Sequence, residues 1–419
     1  MNARFVHPWV TFTALSLLFF LVSAATFSSL GVVLPAMVSE LHWNWTEAGL
    51  GYTLLGVACG LSSVAAAMCV RSWGVRGTLV GGTILLIGGF AALALAQSVW
   101  AYFLGTILLG VAFSLSSTVP GTHVLTALFK RQSTVIGAYF TIGALGSVAG
   151  PLLYVLIAPD HGWRTYWWVW VVASVTFGIF GVASIPDHLN RSTPDPAHPE
   201  PVGPAELVSG LKDWTVRTAL ATPQFYIIVG AYTMYLLINT TAHGFAVQHL
   251  VEHGIAANAA AGMLSLEALV GAGISVVGGI AGEKVSSKTL LIVSLVSLIA
   301  GMTGLALAHG YVLMLVYAVG VGIGFGLSFV ASTMLLLQYF GRRPYLELYS
   351  VMCLLSTAAA LGPAIGGWMH DTLGSFAGVF HLCSLAAFLM LIATIFMRPP
   401  GLVGRSADAP IGGAAPDKA

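Results

Sequence analysis

Charge is what this chain has least of. Only 7% of its 419 residues are Asp, Glu, Lys or Arg, against about a quarter in a soluble domain. That scarcity excludes an ordinary wetted surface. A formal net charge of +1 gives no electrostatic footing for nucleic acid. The four cysteines (Cys59, Cys69, Cys353 and Cys383) fall in apolar stretches without CxxC spacing and read as small core hydrophobes. No metal-like cluster accompanies them. Also missing are HExxH, GxSxG, paired intramembrane aspartates and a nucleotide-cradling GxxxxGK[ST]. Nothing therefore argues for a membrane-embedded enzyme or a nucleotide-driven pump, and no cofactor is expected. The polar start, Met1 to Pro8, leads into an apolar run with no small-residue cleavage site. That run reads as a first span and not as a removed leader.

What the chain does have is apolar length: 57% of its residues are hydrophobic, in repeated runs of the roughly 20 residues that cross a bilayer. The pattern predicts an all-α membrane protein with twelve spans, near 11–36, 48–70, 77–97, 99–128, 133–157 and 165–185, then 224–249, 258–281, 289–308, 311–338, 347–369 and 375–397. Between the sixth and seventh lies the Pro-rich "STPDPAHPEPVGP", followed by "AELVSGLKDW". The expected organisation is a six-helix bundle over 1–185, a cytoplasmic linker over 186–223, a second six-helix bundle over 224–398 and a disordered cytoplasmic tail over 399–419. Of the 16 lysines and arginines, only Arg164 falls on the opposite face from the rest in this scheme. The positive-inside rule then makes the basic face, and both termini, cytoplasmic. A multi-pass protein of the plasma (inner) membrane, monomeric in the lipid bilayer, is expected.

The halves repeat at an offset of 212 positions. "RSWGVR" (Arg71 to Arg76) falls opposite "EKVSSK" (Glu283 to Lys288), and Gly150-Pro151 opposite Gly362-Pro363. "GVAFSLS" from Gly110 falls opposite "GIGFGLS" from Gly322, and Arg131 opposite Arg343. Such a doubled design resembles the major facilitator superfamily, in which two six-helix repeats rock to give alternating access. Gly279, Glu283, Lys284 and Lys288 resemble that superfamily's loop signature of a glycine, an acid and basic residues. The resemblance implies a charged latch between helix ends, with Arg71 and Arg76 in the matching loop of the first half. Arg71 and Ala67 stand there where the acid and the glycine belong, and the fourth span has Thr106 where many members have an arginine.

Within the superfamily the chain is similar to the monocarboxylate and oxalate/formate group. "YFGRRPYLELYS" from Tyr339, "LGPAIGGWMHDTLGSF" from Leu361, "HLVEHGIAANAAAGMLSL" from His249 and "LFKRQSTVIGAYFTIGALG" from Leu128 carry the likeness. It implies a secondary transporter for a small organic acid. Carboxylate carriers of the group place an arginine in the eighth span; here that position is Ser275, with Gly271 where an aspartate often stands one turn earlier. No lysine or arginine falls inside any of the twelve spans.

Glu267, in "LSLEALVG", is the one acid placed deep in the bilayer, about 13 Å from the outer end of the eighth span at 1.5 Å per residue. A mid-bilayer charge costs about 3 kcal/mol on insertion scales, so such a residue faces a cavity or a partner. Desolvation disfavours the charged form of a carboxyl, which suits a proton carrier. A glutamate that stays protonated and bonds a neighbouring helix is the plainer reading. His243, in the outer half of the seventh span after Asn239-Thr240-Thr241, is positioned to pair with Glu267. His123, near the inner end of the fourth span, is a second histidine candidate. Tyr139, Ser328 and Ser332 could supply hydroxyls to a cavity, although each also suits helix packing. Gly146, Gly150, Pro151, Gly362 and Pro363 read as close-packing and flexing positions. The expected function is proton-coupled transport of a monocarboxylate or similar acid. The alternative is proton-driven efflux of a neutral, hydrophobic or weakly basic compound, which a lone acid fits at least as well.

Overall fold

A computed structural model of the protein describes residues 7–129, 132–187, 189, 214–282, 285–341 and 344–400. Most of the expected linker, nearly all of the tail, and Glu283 and Lys284 of the expected latch lie outside the described residues. Among the described residues, ten helical runs are long and apolar enough to cross a membrane: α1 (Pro8–Leu41), α2 (Trp45–Ala94), α3 (Val99–Leu128), α4 (Val135–Ala183), α5 (Pro223–Glu252), α6 (Ala257–Ala281), α7 (Ser287–Ala306), α8 (Tyr311–Phe340), α9 (Glu347–Leu373) and α10 (Ala377–Phe396). The described residues form helices and connections, with no strand among them.

Two of these runs are double length. The 50 residues of α2 would extend about 75 Å as one rod, against roughly 30 Å of hydrocarbon. Each long run breaks at a glycine: Gly74 in α2 (φ 76°, ψ 173°) and Gly162 in α4 (φ 76°, ψ 164°). That corner of backbone space is essentially closed to side chains with a Cβ, so the sequence marks both reversals with the residue that permits them. Each broken run is long enough for two crossings.

The internal repeat seen in the residues is also written in the backbone. α2 begins at Trp45 and α6 at Ala257; α2 ends at Ala94 and α7 at Ala306. α3 and α8 begin at Val99 and Tyr311 and end at Leu128 and Phe340. All four pairs are 212 positions apart. The left-handed residues follow suit: His42 (φ 56°) with Gly254 (φ 81°), and Gly162 with Gly374 (φ 73°). Helix starts are capped locally. Asn44 accepts from the Glu47 backbone at 2.7 Å while Glu47 reaches back to the Asn44 N–H at 3.2 Å, a reciprocal cap that satisfies two orphan donors.

The halves meet along α2–α9, α4–α6 and α1–α5. Glycines make the approach possible. Gly49 lies against the Pro363 carbonyl, Gly367 against the Trp45 carbonyl and Gly31 against the His243 carbonyl. Hydrogen bonds join the halves where the Ala364 N–H donates to Thr53 Oγ1 (3.1 Å), where Ser265 donates to the Val148 carbonyl (3.1 Å), and at Asp371, which receives the first backbone donors of α2. Asp371, Trp45 and Thr46 lie at the end of the bundle away from Arg71, Arg76 and Lys288, so the halves are sealed at that end.

Within the first half, Gly146 and Gly150 in α4 sit against the Phe20 and Ala24 carbonyls of α1; in the second, Gly362 sits against Thr241 Oγ1. Pro151 is buried beside Gly150. A Cβ at Gly150 would collide with the Ala24 carbonyl and Ser29 Oγ. Overpacking of that kind costs about 1–3 kcal/mol. Gly150→Val should therefore lower the thermal unfolding temperature in detergent. Gly137→Ala, a site with nothing within 4 Å, should leave it unchanged or raise it slightly.

Candidate functional site

α6 carries Glu267 to about 15 Å from its first residue, at 1.5 Å per residue, and the residue is 2% exposed. α8 crosses α6 there because Gly322 rests against the Glu267 carbonyl and Gly326 against that of Gly271. That crossing brings in Tyr317, whose hydroxyl donates to Glu267 Oε2 at 2.5 Å. The other oxygen, Oε1, is buried with no hydrogen-bond partner among the described residues. The ionisable group it faces is the His243 ring on α5, with Nδ1 at 3.7 Å. That nitrogen is already engaged, 2.9 Å from the Asn239 backbone carbonyl. A carbonyl only accepts, so Nδ1 bears the hydrogen and Nε2 remains as the second protonation position. Tyr52 of α2 comes within electrostatic reach of Glu267 and Tyr317 from the other half and donates to the Phe27 carbonyl at 2.7 Å.

The arrangement can hold one proton on a shared pair. With the carboxyl protonated, or with His243 protonated beside a carboxylate, the pair is neutral overall. Without that proton it carries one buried negative charge, held by one tyrosine donor and an orphaned oxygen. A buried charge so thinly paired is costly, and a proton or a cation arriving at the site would relieve that cost. The constellation exists in one half only. The positions 212 earlier than His243, Glu267 and Tyr317 hold Gly31, Leu55 and Gly105.

The structure thus joins His243 and Glu267, and Asn239 enters through its backbone carbonyl. The Asn239 carboxamide is half-buried and has no hydrogen-bond partner among the described residues. His123 stands apart. It lies about 36 Å along α3 from its first residue at 1.5 Å per residue, near the basic end, half-buried. Tyr139 is fully buried, donates to the Ser117 carbonyl at 2.8 Å and stacks on Phe19 at 4.8 Å, so its hydroxyl is committed to packing. Ser328 bonds Ser294 at 2.5 Å between α8 and α7. Ser332 is buried with its hydroxyl unpartnered among the described residues.

Of the expected latch residues that are described, Lys288 and Arg76 tie helix ends within one half. Lys288 donates to the Ile395 and Met397 carbonyls at 2.8 Å each, and Arg76 bonds the Ile185 carbonyl and Asp187, the latter at 2.6 Å. Arg76 with Ile185 and Lys288 with Met397 are again 212 positions apart. Each cation satisfies the last carbonyls of the half's final span, where a positive charge is favoured by the helix dipole. Arg71 is exposed, and Gly279 lies on α6 with nothing within 4 Å of a built Cβ.

Sequence reasoning missed Tyr317 and Tyr52. The signal for Tyr317 was present in the repeat: like Glu267 and His243, it is polar where its counterpart in the first half is not.

Comparison with known proteins agrees with this architecture. The family model described as Major Facilitator Superfamily matches residues 15–352. Among curated proteins, the chain is 26% identical over 394 residues to monocarboxylate transporter 11 of Mus musculus, covering 89% of this chain and 83% of that one. It is 27% identical over 175 residues to the cis,cis-muconate transport protein of Acinetobacter baylyi, covering 40% of each. The fold is similar to the crystal structure of the nucleoside transporter NupG, with a TM-score of 0.70 at 14% identity over 93% of this chain and 98% of that one. It is also similar to a bacterial homologue of the lysosomal transporter Spinster in an inward-facing, unoccupied conformation, with a TM-score of 0.67 at 15% identity over 92% of this chain and 95% of that one. A family model spanning most of the chain, on a fold these transporters share, settles the family: the chain belongs to the major facilitator superfamily.

Proposed function

We propose that the protein is a secondary active transporter that moves a small organic acid together with a proton by alternating access. In this reading the chain crosses the plasma (inner) membrane twelve times as a monomer, in two six-helix bundles over 1–185 and 224–398. The basic end and both termini are cytoplasmic. The observation that carries the reading is Glu267: a buried carboxyl with one unpaired oxygen, set 3.7 Å from His243 where the halves meet. Loading that pair with a proton removes a buried charge, which gives the two states of the carrier different energies. A small organic acid as the substrate class is supported by the names of the relatives, one a monocarboxylate transporter and the other a transport protein for cis,cis-muconate, a dicarboxylate. The lack of a lysine or arginine inside the spans favours an acid that travels with its proton as a neutral pair.

The lone buried acid also supports a second reading, proton-driven efflux of a neutral or weakly basic compound. Counterflow in proteoliposomes with labelled organic acids, amines and neutral solutes, with and without a pH gradient, separates the two. Exchange of acids that accumulate toward the alkaline side is the expected result. Uptake indifferent to the gradient would rule out proton coupling, and exchange confined to amines would favour the second reading. His243→Ala should weaken the response to the gradient more than it weakens exchange, because the ring is one of two places the proton can rest.

A further inference from the structure

We propose that the pathway below the junction of the halves holds a slot for a planar, aromatic or conjugated carboxylic acid, bounded by Phe27 and Phe113 on one half and Asn239 and Tyr235 on the other. The inference rests on the transport reading above and specifies its substrate.

Two π-helical turns interrupt the first half, at Ala24–Ser28 in α1 and Ser114–Thr118 in α3. The positions 212 later, 236–240 and 326–330, are uninterrupted α-helix. A π turn takes an extra residue per turn and re-aims the side chains around it, and such turns cluster at functional sites. Phe27 lies inside the first and Phe113 immediately precedes the second. Their rings meet edge to face at 5.8 Å and 78°. Phe27 also rests against Tyr52 at 5.9 Å, and the Tyr52 hydroxyl holds the Phe27 carbonyl. These rings are fixed, yet Phe27 and Phe113 are only half-buried, so the rearrangement presents them instead of sinking them in the core.

The repeat says what they are presented to. Phe27 has Asn239 as its counterpart in the second half. α1 and α5 touch where Gly31 meets the His243 carbonyl, and those two positions are themselves counterparts. One turn toward the basic end from this contact come Phe27 on α1 and Asn239 on α5, and the π turn that carries Phe27 packs against α5. Tyr235, a further turn along α5, packs its ring on Phe325 at 5.5 Å.

The chemistry of the two walls then selects the ligand. A carboxamide offers an N–H donor beside a carbonyl acceptor, which is the complement of a neutral carboxyl group. It offers no charge for a carboxylate. The aromatic wall favours a flat π system, whose edge and face contacts exceed those of a saturated ring of the same size. An acid that enters here is neutralised by the proton that the adjacent His243–Glu267 pair supplies.

The test uses the full-length protein in proteoliposomes, with counterflow of labelled benzoate competed by cyclohexanecarboxylate, a puckered acid with the same number of heavy atoms. Benzoate should be preferred about fivefold, the scale of one to two aromatic contacts. Phe27→Leu should erase that preference, costing benzoate about fivefold more than it costs butanoate. Phe113→Leu serves as the second variant if the first fails to fold by thermal unfolding in detergent. Equal competition by the two rings in the wild type, or a preference that survives both substitutions, overturns the slot while leaving proton-coupled acid transport standing. Failure of every acid tested to exchange overturns the transport reading, and the slot with it.

Discussion

Glu267→Gln is expected to abolish accumulation against a gradient while leaving exchange in place. One proton moved per substrate couples each unit of pH difference to 1.36 kcal/mol, or about tenfold accumulation. Glutamine keeps the volume of the side chain and can still accept from the Tyr317 hydroxyl. It cannot release a proton, so the variant should equilibrate its substrate at about onefold under the same gradient, the value expected without coupling. Counterflow between equal concentrations needs no net proton movement and should continue. The measurement is the steady-state ratio of labelled substrate across proteoliposomes at an imposed one-unit pH difference. A ratio near ten in the variant would leave Glu267 as a structural carboxyl that stays protonated on its tyrosine.

The orphaned Oε1 fits that plain structural role poorly. A carboxyl kept only to bond a neighbouring helix would use its O–H, yet the oxygen facing α5 has no acceptor or donor within hydrogen-bond range among the described residues. The ionisable group it faces, a histidine itself tied to Asn239, lies at 3.7 Å, beyond hydrogen-bond range. On the proposed reading this is what a coupling carboxyl requires, because its partner is the proton or the substrate.

Much of this was legible in the residues, for different reasons at different levels. Helices had to follow from apolar runs in which every backbone group must be satisfied internally. The reversals themselves fall in the gaps 71–76 and 158–164 between expected spans, but which residue makes each one was hidden, since a glycine among 49 does not announce that it takes a left-handed turn. The fixed offset of 212 exposed the doubled design, and it extends to helix ends and caps that no periodicity displays. Glu267 and His243 could be paired because adjacent spans make neighbours. Tyr317 was out of reach of that logic: the α6–α8 crossing depends on Gly322 and Gly326, and tyrosine is common in membrane cores for packing alone. The basic residues were read from a resemblance alone. Arg76 and Lys288 resemble an inter-helix latch in sequence; in the structure they lie within helical segments and bond carbonyls at the end of each half's last span.

Asp371→Asn should loosen the sealed end of the bundle. Asp371, near the end of α9, accepts from the Trp45 N–H at 3.0 Å, the Thr46 N–H at 2.7 Å and the Thr46 hydroxyl at 2.5 Å. Those are the first backbone donors of α2, which has no turn of its own to satisfy them, and a negative charge is favoured at that position by the helix dipole. Asn44 already serves Glu47 from the same chain segment, so the cap of α2 is completed by a residue of the opposite half. Opening this end must break all three bonds together. Hydrogen bonds to a charged group are worth about 1.5–3 kcal/mol each. Asparagine keeps one acceptor oxygen and loses the charge, so a loss of about 2 kcal/mol is expected, which shifts the closed-to-open ratio by about 30-fold. Leu95 and Leu307, exposed counterparts at the same end of the two halves, are suitable positions for spin labels away from the contact. Pulsed dipolar distances between them should show a single short population in the wild type and a second, longer one in Asp371→Asn. An unchanged distribution would mean that the glycine contacts of Gly49 and Gly367 hold the seal without the cap.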